Sequence, residues 1–243
     1  MALTKESLLI EKCLSLTAFI ETSKKHPEFY SQLSGNFDGQ GISYGPLQWC
    51  LGQGSLQPLL KEVAQKYPNI FDNAFGLSAP AVKDMLNKID IKSQVLWSAA
   101  IQRNNKILDD WKKKFYDLGQ TKEMQQIQLS AVKSVFNKSV AMLSIYGVKS
   151  QRAVALFFDI RVQNGSISEE VKLDILNTFT KQNVIDEVEK LKIIAIKRAE
   201  AANPKWQADV KARKLCIAAG SGVVHGSQIN LERDFFITMQ NAS

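Results

Sequence analysis

The stretch that decides the fold is SGNFDGQGISYGPLQWCLGQGS, residues 34–55. Six of its 22 residues are glycine, and it carries a single acid, Asp38. The chain on either side is rich in Lys, Leu and Ala. Glycine permits positive φ and close backbone approach, so this segment reads as a short hairpin or irregular loop between helices. A carboxylate flanked by glycines stands clear of crowding side chains, which makes Asp38 a candidate for chemistry. The plain alternative is an Asx residue of an ordinary turn.

Upstream, residues 4–23 predict a helix. Leu9, Cys13, Leu16 and Ile20 recur at helical spacing. Thr4 is the expected N-cap, and Ser7, where a Glu or Gln would stand, leaves no capping box. The helix ends near ETSKKHPE, because the residue before Pro27 resists the α conformation. Glu21 therefore falls on the last turn of an apolar helix, 17 residues before Asp38. A helix end packed on Phe19 and Ile20 would raise a glutamate pKa by desolvation, whereas a solvated Asp stays ionised. Glycoside hydrolysis needs two such carboxyls, one protonated and one charged. The alternative for Glu21 is an exposed helix-end charge.

Downstream, SLQPLLKEVAQKY is a helix with Pro58 in its first turn, and SAPAVKDMLNKI, 78–89, is a short helix. Residues 92–118 and 121–146 predict two long amphipathic helices broken at LGQT. Residues 150–163 form an apolar helix with a glycine stop at VQNGS. Residues 167–201 and 204–219 are further helices, and the tail from 221 is loop with a short terminal element. About eight helices and one small β-rich insert make a mainly α fold.

The chain has 243 residues, 45% of them apolar, enough for one large domain or two lobes around a shared helix. Net charge is +7 and the pI is near 9.2, which favours an anionic partner. The densest basic cluster, WKKKFYDLG, reads as a solvated helix face, and no nucleic-acid-binding motif is found. Three cysteines, Cys13, Cys50 and Cys216, fit neither a disulfide framework nor a zinc pattern and read as free thiols. With two distant histidines, a Ser-His-Asp triad has no local support around His225. No uncharged apolar run reaches membrane-spanning length. The N-terminus MALTKESLLIEKCLSL carries Glu6, Glu11 and Lys12 in its apolar run and reads as an amphipathic helix, not a signal peptide. The expectation is synthesis in the cytoplasm, with action in the periplasm or cell wall after specialised export or lysis.

The pattern FIETS…GNFDGQGISYGPLQW resembles the catalytic region of lysozyme-superfamily glycosidases, in particular family 46 chitosanases and related peptidoglycan-hydrolase-like proteins. The resemblance implies a lysozyme-like, two-lobed helical fold over the whole chain as one catalytic domain, a β-hairpin insert at the active site and the cleft between the lobes. It implies Glu21 as general acid and Asp38 as general base. DGQGIS matches the family's Asp-Gly-x-Gly turn, with Ser43 in place of the threonine that helps hold the attacking water. Gln40 stands where chitosanases usually carry a basic residue, and Cys50 where asparagine is expected. GPLQ is similar to the Gly-x-x-Gln of goose-type lysozymes and lytic transglycosylases, which implies that Tyr44 and Gln48, with Gln40 and Trp49, bind the sugar. ALFFDIRVQNG resembles the chitosanase helix bearing a buried Asp clamped by two arginines. Asp159 would be that residue, with Arg198 and Arg213 as clamps and Arg161 as a competitor.

A basic hydrolase is drawn to anionic cell walls, whereas polycationic chitosan would repel it. The expected substrate is therefore peptidoglycan, cleaved at its β-1,4 bond by a muramidase, with inversion if the carboxyls stand about 6.5–9.5 Å apart. Chitosanase-type hydrolysis and a lytic transglycosylase that needs Glu21 alone are the alternatives. No metal or cofactor is required, and NFDGQG lacks the further acids of an EF-hand loop. An exported antibacterial effector, partnered by an immunity protein or secretion component, or a phage lysin is the expected setting. Two rival classes stay open. A non-enzymatic wall-binding module would use Trp49, Tyr44 and Trp206 as stacking platforms. A helical interaction protein would use the glycine loop as a connector.

Overall fold

The computed structural model describes residues 4–88 and 90–242. The chain divides into two compact units, one running through Ile20 and resuming at Val132, the other Glu21–Ala131. It is predominantly helical with a few short strands, so the mainly α, two-lobed expectation matches the architecture.

Helix α1, Lys5–Thr22, opens the chain. The Thr4 hydroxyl accepts from Ser7 N at 3.1 Å and caps it as expected. The glycine-rich stretch then folds into three antiparallel strands, β1 Leu33–Ser34, β2 Ser43–Tyr44 and β3 Trp49–Cys50. Their register pairs Ser34 with Ser43 and Leu33 with Tyr44, then Ser43 with Cys50 and Tyr44 with Trp49.

Helices α2 Leu56–Lys66, α3 Pro68–Phe75 and α4 Ala79–Asn87 follow; Ile89, the expected last residue of α4, lies outside the described residues. The single long helix expected over 92–118 is instead α5 Ile91–Ala100, a hairpin of β4 Gln102–Arg103 and β5 Lys106–Ile107, and α6 Asp109–Gly119. Asn104 and Asn105 make the turn with φ +52° and +60°. Asparagine tolerates this left-handed conformation better than most residues, so local turn chemistry overrides the helical periodicity. The core of this unit is aromatic. The rings of Phe71 and Phe75 lie 4.7 Å apart, and Phe115 meets Phe75 at 5.2 Å and Tyr44 at 5.1 Å.

The helix expected over 121–146 is two, α7 Lys122–Val140 and α8 Met142–Tyr146. Helix α9, Gln151–Asn164, carries a continuous buried run from Ala153 to Ile160 and stops at Gly165. The helix expected over 167–201 is split into α10 Glu169–Lys181 and α11 Glu187–Glu200. Asn183 has φ +48°, and Asp186 then accepts from Glu189 N at 2.9 Å to start a new helix. Helix α12, Gln207–Ala219, packs on α9 and α11. The tail is not loop. It forms a hairpin of β6 Ser221–Val224 and β7 Ser227–Asn230, turning at His225 and Gly226, then α13 Leu231–Phe235. Among the described residues, no helix is long and apolar enough to cross a membrane.

Candidate active site

Glu21 stands exposed at the end of α1, so the apolar packing expected around its carboxyl is not what the fold provides. The chain leaves the helix immediately afterwards: Lys24 N donates to Thr22 Oγ1 at 3.1 Å, and Ser23 has φ +57°.

Asp38 is exposed at the tip of the turn between β1 and β2, and its Oδ1 accepts from Gln40 N at 3.1 Å. The turn is tied down on both sides. Asn36 Oδ1 accepts from Gly41 N at 3.1 Å, and Asn36 N donates to Gln102 Oε1 at 2.7 Å. The Gln40 carbonyl accepts from Gly52 N at 2.8 Å and from Cys50 Sγ at 3.2 Å. Two glycines are dictated by this arrangement. Gly41 has φ +83°, and a Cβ on Gly52 would lie 2.8 Å from both Cα and O of Gln40. The glycines thus hold a carboxylate on a rigid turn whose tip faces solvent, and Cys50, the departure from the family pattern, is one of its buried anchors.

Ser43 lies half-buried in the central strand. Successive side chains of a strand point to opposite faces. Ser43 and Tyr44 therefore cannot both face a glycan, and this corrects the expectation for Tyr44. Its ring is wholly buried, its hydroxyl donates to Phe115 O at 2.7 Å, and burial pushes the phenol well above its usual pKa. Tyr44 supports the insert from the core. Trp49, directly opposite Tyr44, packs its half-buried indole against the same core and over Gly45. Gln48 is held at φ +51°; its amide donates to Gly45 O at 2.8 Å and its Oε1 accepts from Ser34 Oγ at 2.7 Å. The Gln40 side chain is exposed beside Asp38. Sequence reasoning passed over Phe37, which is 77% exposed next to Asp38. The signal available was an aromatic in an otherwise polar turn.

Asp159 is completely buried, as the apolar run around it implies. Its carboxylate accepts from Thr17 Oγ1 at 3.1 Å, from Arg213 Nε at 2.9 and 3.0 Å, from Arg213 Nη2 at 2.6 Å, and from Lys214 Nζ. Burial alone would raise its pKa, but the charges and hydrogen bonds of Arg213 and Lys214 outweigh it and hold the carboxyl well below the usual range. The second clamp is thus Lys214, not Arg198 or Arg161. Val210, Arg213, Lys214, Ile217 and Ala218 are the buried face of α12, and their spacing at helical intervals is the signal that could have found Lys214. Arg198 sits near the end of α11 and reaches the end of α9 instead, donating to Asn164 O at 3.4 Å.

The network continues beyond Lys214. Its Nζ donates to Gln163 Oε1 at 2.7 Å, Gln163 Nε2 donates to Asp209 Oδ2 at 3.2 Å, and His225 Nε2 lies 2.6 Å from Asp209 Oδ1. His225 Nδ1 is 3.3 Å from the carbonyl of Ile20, the residue before Glu21. The acid partner of His225 was not legible locally, because the hairpin turn and α12 bring the two together. Among the described residues, no group of three or more His, Cys, Asp or Glu side chains is arranged to hold a metal ion.

The fold is that of family 46 chitosanases. A chitosanase solved as a complex is 19% identical, with 90% of this chain and 95% of that chain covered and a TM-score of 0.59. A family 46 chitosanase of Gynuella sunshinyii, solved with chitotetraose, is 16% identical, with 94% and 98% covered and a TM-score of 0.59. The native chitosanase of Bacillus subtilis is 17% identical, with 87% of each chain covered and a TM-score of 0.56. No family model and no curated protein matches the sequence. At these identities the likeness defines a lysozyme-like helical fold.

Proposed function

We propose that this protein is a glycoside hydrolase that cuts the β-1,4 backbone of peptidoglycan, a muramidase. One observation carries the reading. An exposed glutamate at a helix end is followed by an exposed aspartate on a glycine-built, hydrogen-bonded turn, in a chain with the chitosanase fold. Glu21 protonates the leaving glycosidic oxygen, and Asp38 draws the proton from a water held with Ser43. Gln40 and Gln48 line the sugar path, with Phe37 beside Asp38 as a stacking ring, and Trp49, on the face of Tyr44, supports the insert from the core. Asp159, held by Arg213 and Lys214, accepts from Thr17 and so anchors α1, the helix that ends with Glu21.

The net charge of +7 supports an acidic wall glycan over cationic chitosan. Delivery as an antibacterial effector, with an immunity protein or secretion component as partner, or release as a phage lysin is the setting this reading suggests. A second reading, hydrolysis of chitosan, is favoured by the neighbours themselves; one is a glutamate-to-alanine chitosanase in complex with six glucosamine units.

The test is digestion of purified sacculi and of chitosan by wild type, Glu21→Gln and Asp38→Asn, with mass analysis of the products. Muropeptides with reducing N-acetylmuramic acid ends, lost in both variants, are the expected result. Anhydro ends that survive Asp38→Asn would make the enzyme a lytic transglycosylase. Cleavage of chitosan alone would establish the second reading, and no cleavage of either would leave a binding module.

A further inference from the structure

Within the unit that holds α9, α11 and α12, a pocket of about 340 Å³ opens between Gln163, Asn164, Arg198, Asn203, Trp206 and Asp209. Its volume lies at the low end of the range for small-molecule sites. Arg198 is partly buried in its wall. Among the described residues, this guanidinium makes no salt bridge. Its Nη2 has a long 3.4 Å bond to Asn164 O, and its Nε is buried with no hydrogen-bond partner. Asn164 Oδ1, on the same wall, is likewise buried without one. Burial of the guanidinium lowers its pKa. A partly buried cation with no counter-charge is costly to keep unless an anion completes it.

The pocket's own acid is already engaged, since Asp209 holds His225 and Gln163. Trp206 is 56% exposed at the rim, and Lys205 Nζ lies over one face of its ring, 4.8 Å from the centre, so a second cation borders the opening. An exposed indole beside amide side chains suits a pyranose, which presents an apolar face and a hydroxyl edge. A planar guanidinium suits a carboxylate, which it can hold through two parallel hydrogen bonds.

We propose that this pocket is a saccharide subsite for a carboxylate-bearing sugar, with Arg198 recognising the acid and Trp206 stacking on the ring. The inference rests on the glycan-hydrolase reading and narrows its substrate to acidic glycans. Asp209 connects the pocket through His225 to the Ile20 carbonyl, so its wall is joined by hydrogen bonds to the end of α1.

The experiment is calorimetric titration of the full chain carrying Glu21→Gln, so that ligand is not consumed. The probes are N-acetylglucosaminyl-N-acetylmuramic acid, the same disaccharide bearing its stem peptide, N,N′-diacetylchitobiose and sodium acetate. At least one acidic saccharide is expected to bind tenfold or more tighter than chitobiose. The disaccharide acid identifies the lactyl carboxylate, and the muropeptide identifies the stem. Arg198→Gln is expected to remove this preference, and Arg198→Lys to keep part of it. Trp206→Ala, at an exposed rim position, is expected to weaken all the saccharides alike. Equal binding of acidic and neutral saccharides, a preference that survives Arg198→Gln, or acetate binding as tightly as the sugars would overturn the inference. Digestion of sacculi is read separately. Acid-selective binding without digestion sinks the muramidase and leaves the pocket; digestion without acid selectivity sinks the pocket alone.

Discussion

Arg213 grips Asp159 through two nitrogens, Nε at 2.9 and 3.0 Å from the two carboxylate oxygens and Nη2 at 2.6 Å from Oδ1. Lys214, the next residue, closes the cage, and all three side chains are buried. Two cations around one carboxylate are tolerated only while that carboxylate is ionised. Asp159→Asn removes the buried carboxylate that both cations bond, and the expected cost is about 3–5 kcal/mol, read from urea unfolding at neutral pH.

The same cage predicts a pH dependence. The folded pKa of Asp159 is held below its unfolded value of about 3.9. Between the two values the unfolded chain binds the extra proton, so stability rises with pH there. The contribution is complete above about pH 5 and is lost as pH falls through the folded value. Urea midpoints of the wild type should drop between about pH 5 and 3. If Asp159→Asn shows the same drop, this carboxylate is not its source.

Tyr44→Phe separates support from recognition. The Tyr44 hydroxyl donates to Phe115 O in the core, so its loss removes one buried hydrogen bond at a cost of about 0.5–1.5 kcal/mol. Turnover per folded molecule should be unchanged. A large fall in turnover with little loss of stability would mean that Tyr44 touches the glycan.

Gly52→Ala tests the turn that carries Asp38. The added methyl meets backbone atoms of Gln40 at 2.8 Å, and backbone cannot swing aside as a flexible side chain does. The turn must shift, and a displacement of about 1 Å at a reacting group costs on the order of 100-fold in rate. The expected result is a fall in kcat of tenfold or more with circular dichroism unchanged. Gln53→Ala, at the exposed neighbouring position, should leave kcat alone.

Much of this molecule could be read from its residues. Apolar periodicity located α1, α2, α9 and α12, because burying one face imposes a repeat on the sequence. The glycine pattern marked the Asp38 turn, because positive φ and close approach exclude other residues. Asp159 was marked as buried by the apolar run that surrounds it. The breaks at Asn104–Asn105 and Asn183 were missed, since one or two left-handed residues carry little weight against a long helical pattern.

What the sequence by itself determined is the set of local decisions: which segments are helical, which turn is rigid, and which acids stand at a helix end, on a turn and in a core. Only the tertiary structure decided the partners. Lys214 rather than Arg198 cages Asp159, since α12 turns its face toward α9. His225 meets Asp209, and Arg198 is left in a pocket wall. These pairings join residues 16 to 55 positions apart in the chain. Their geometry follows from how helices pack, and no local spacing encodes it.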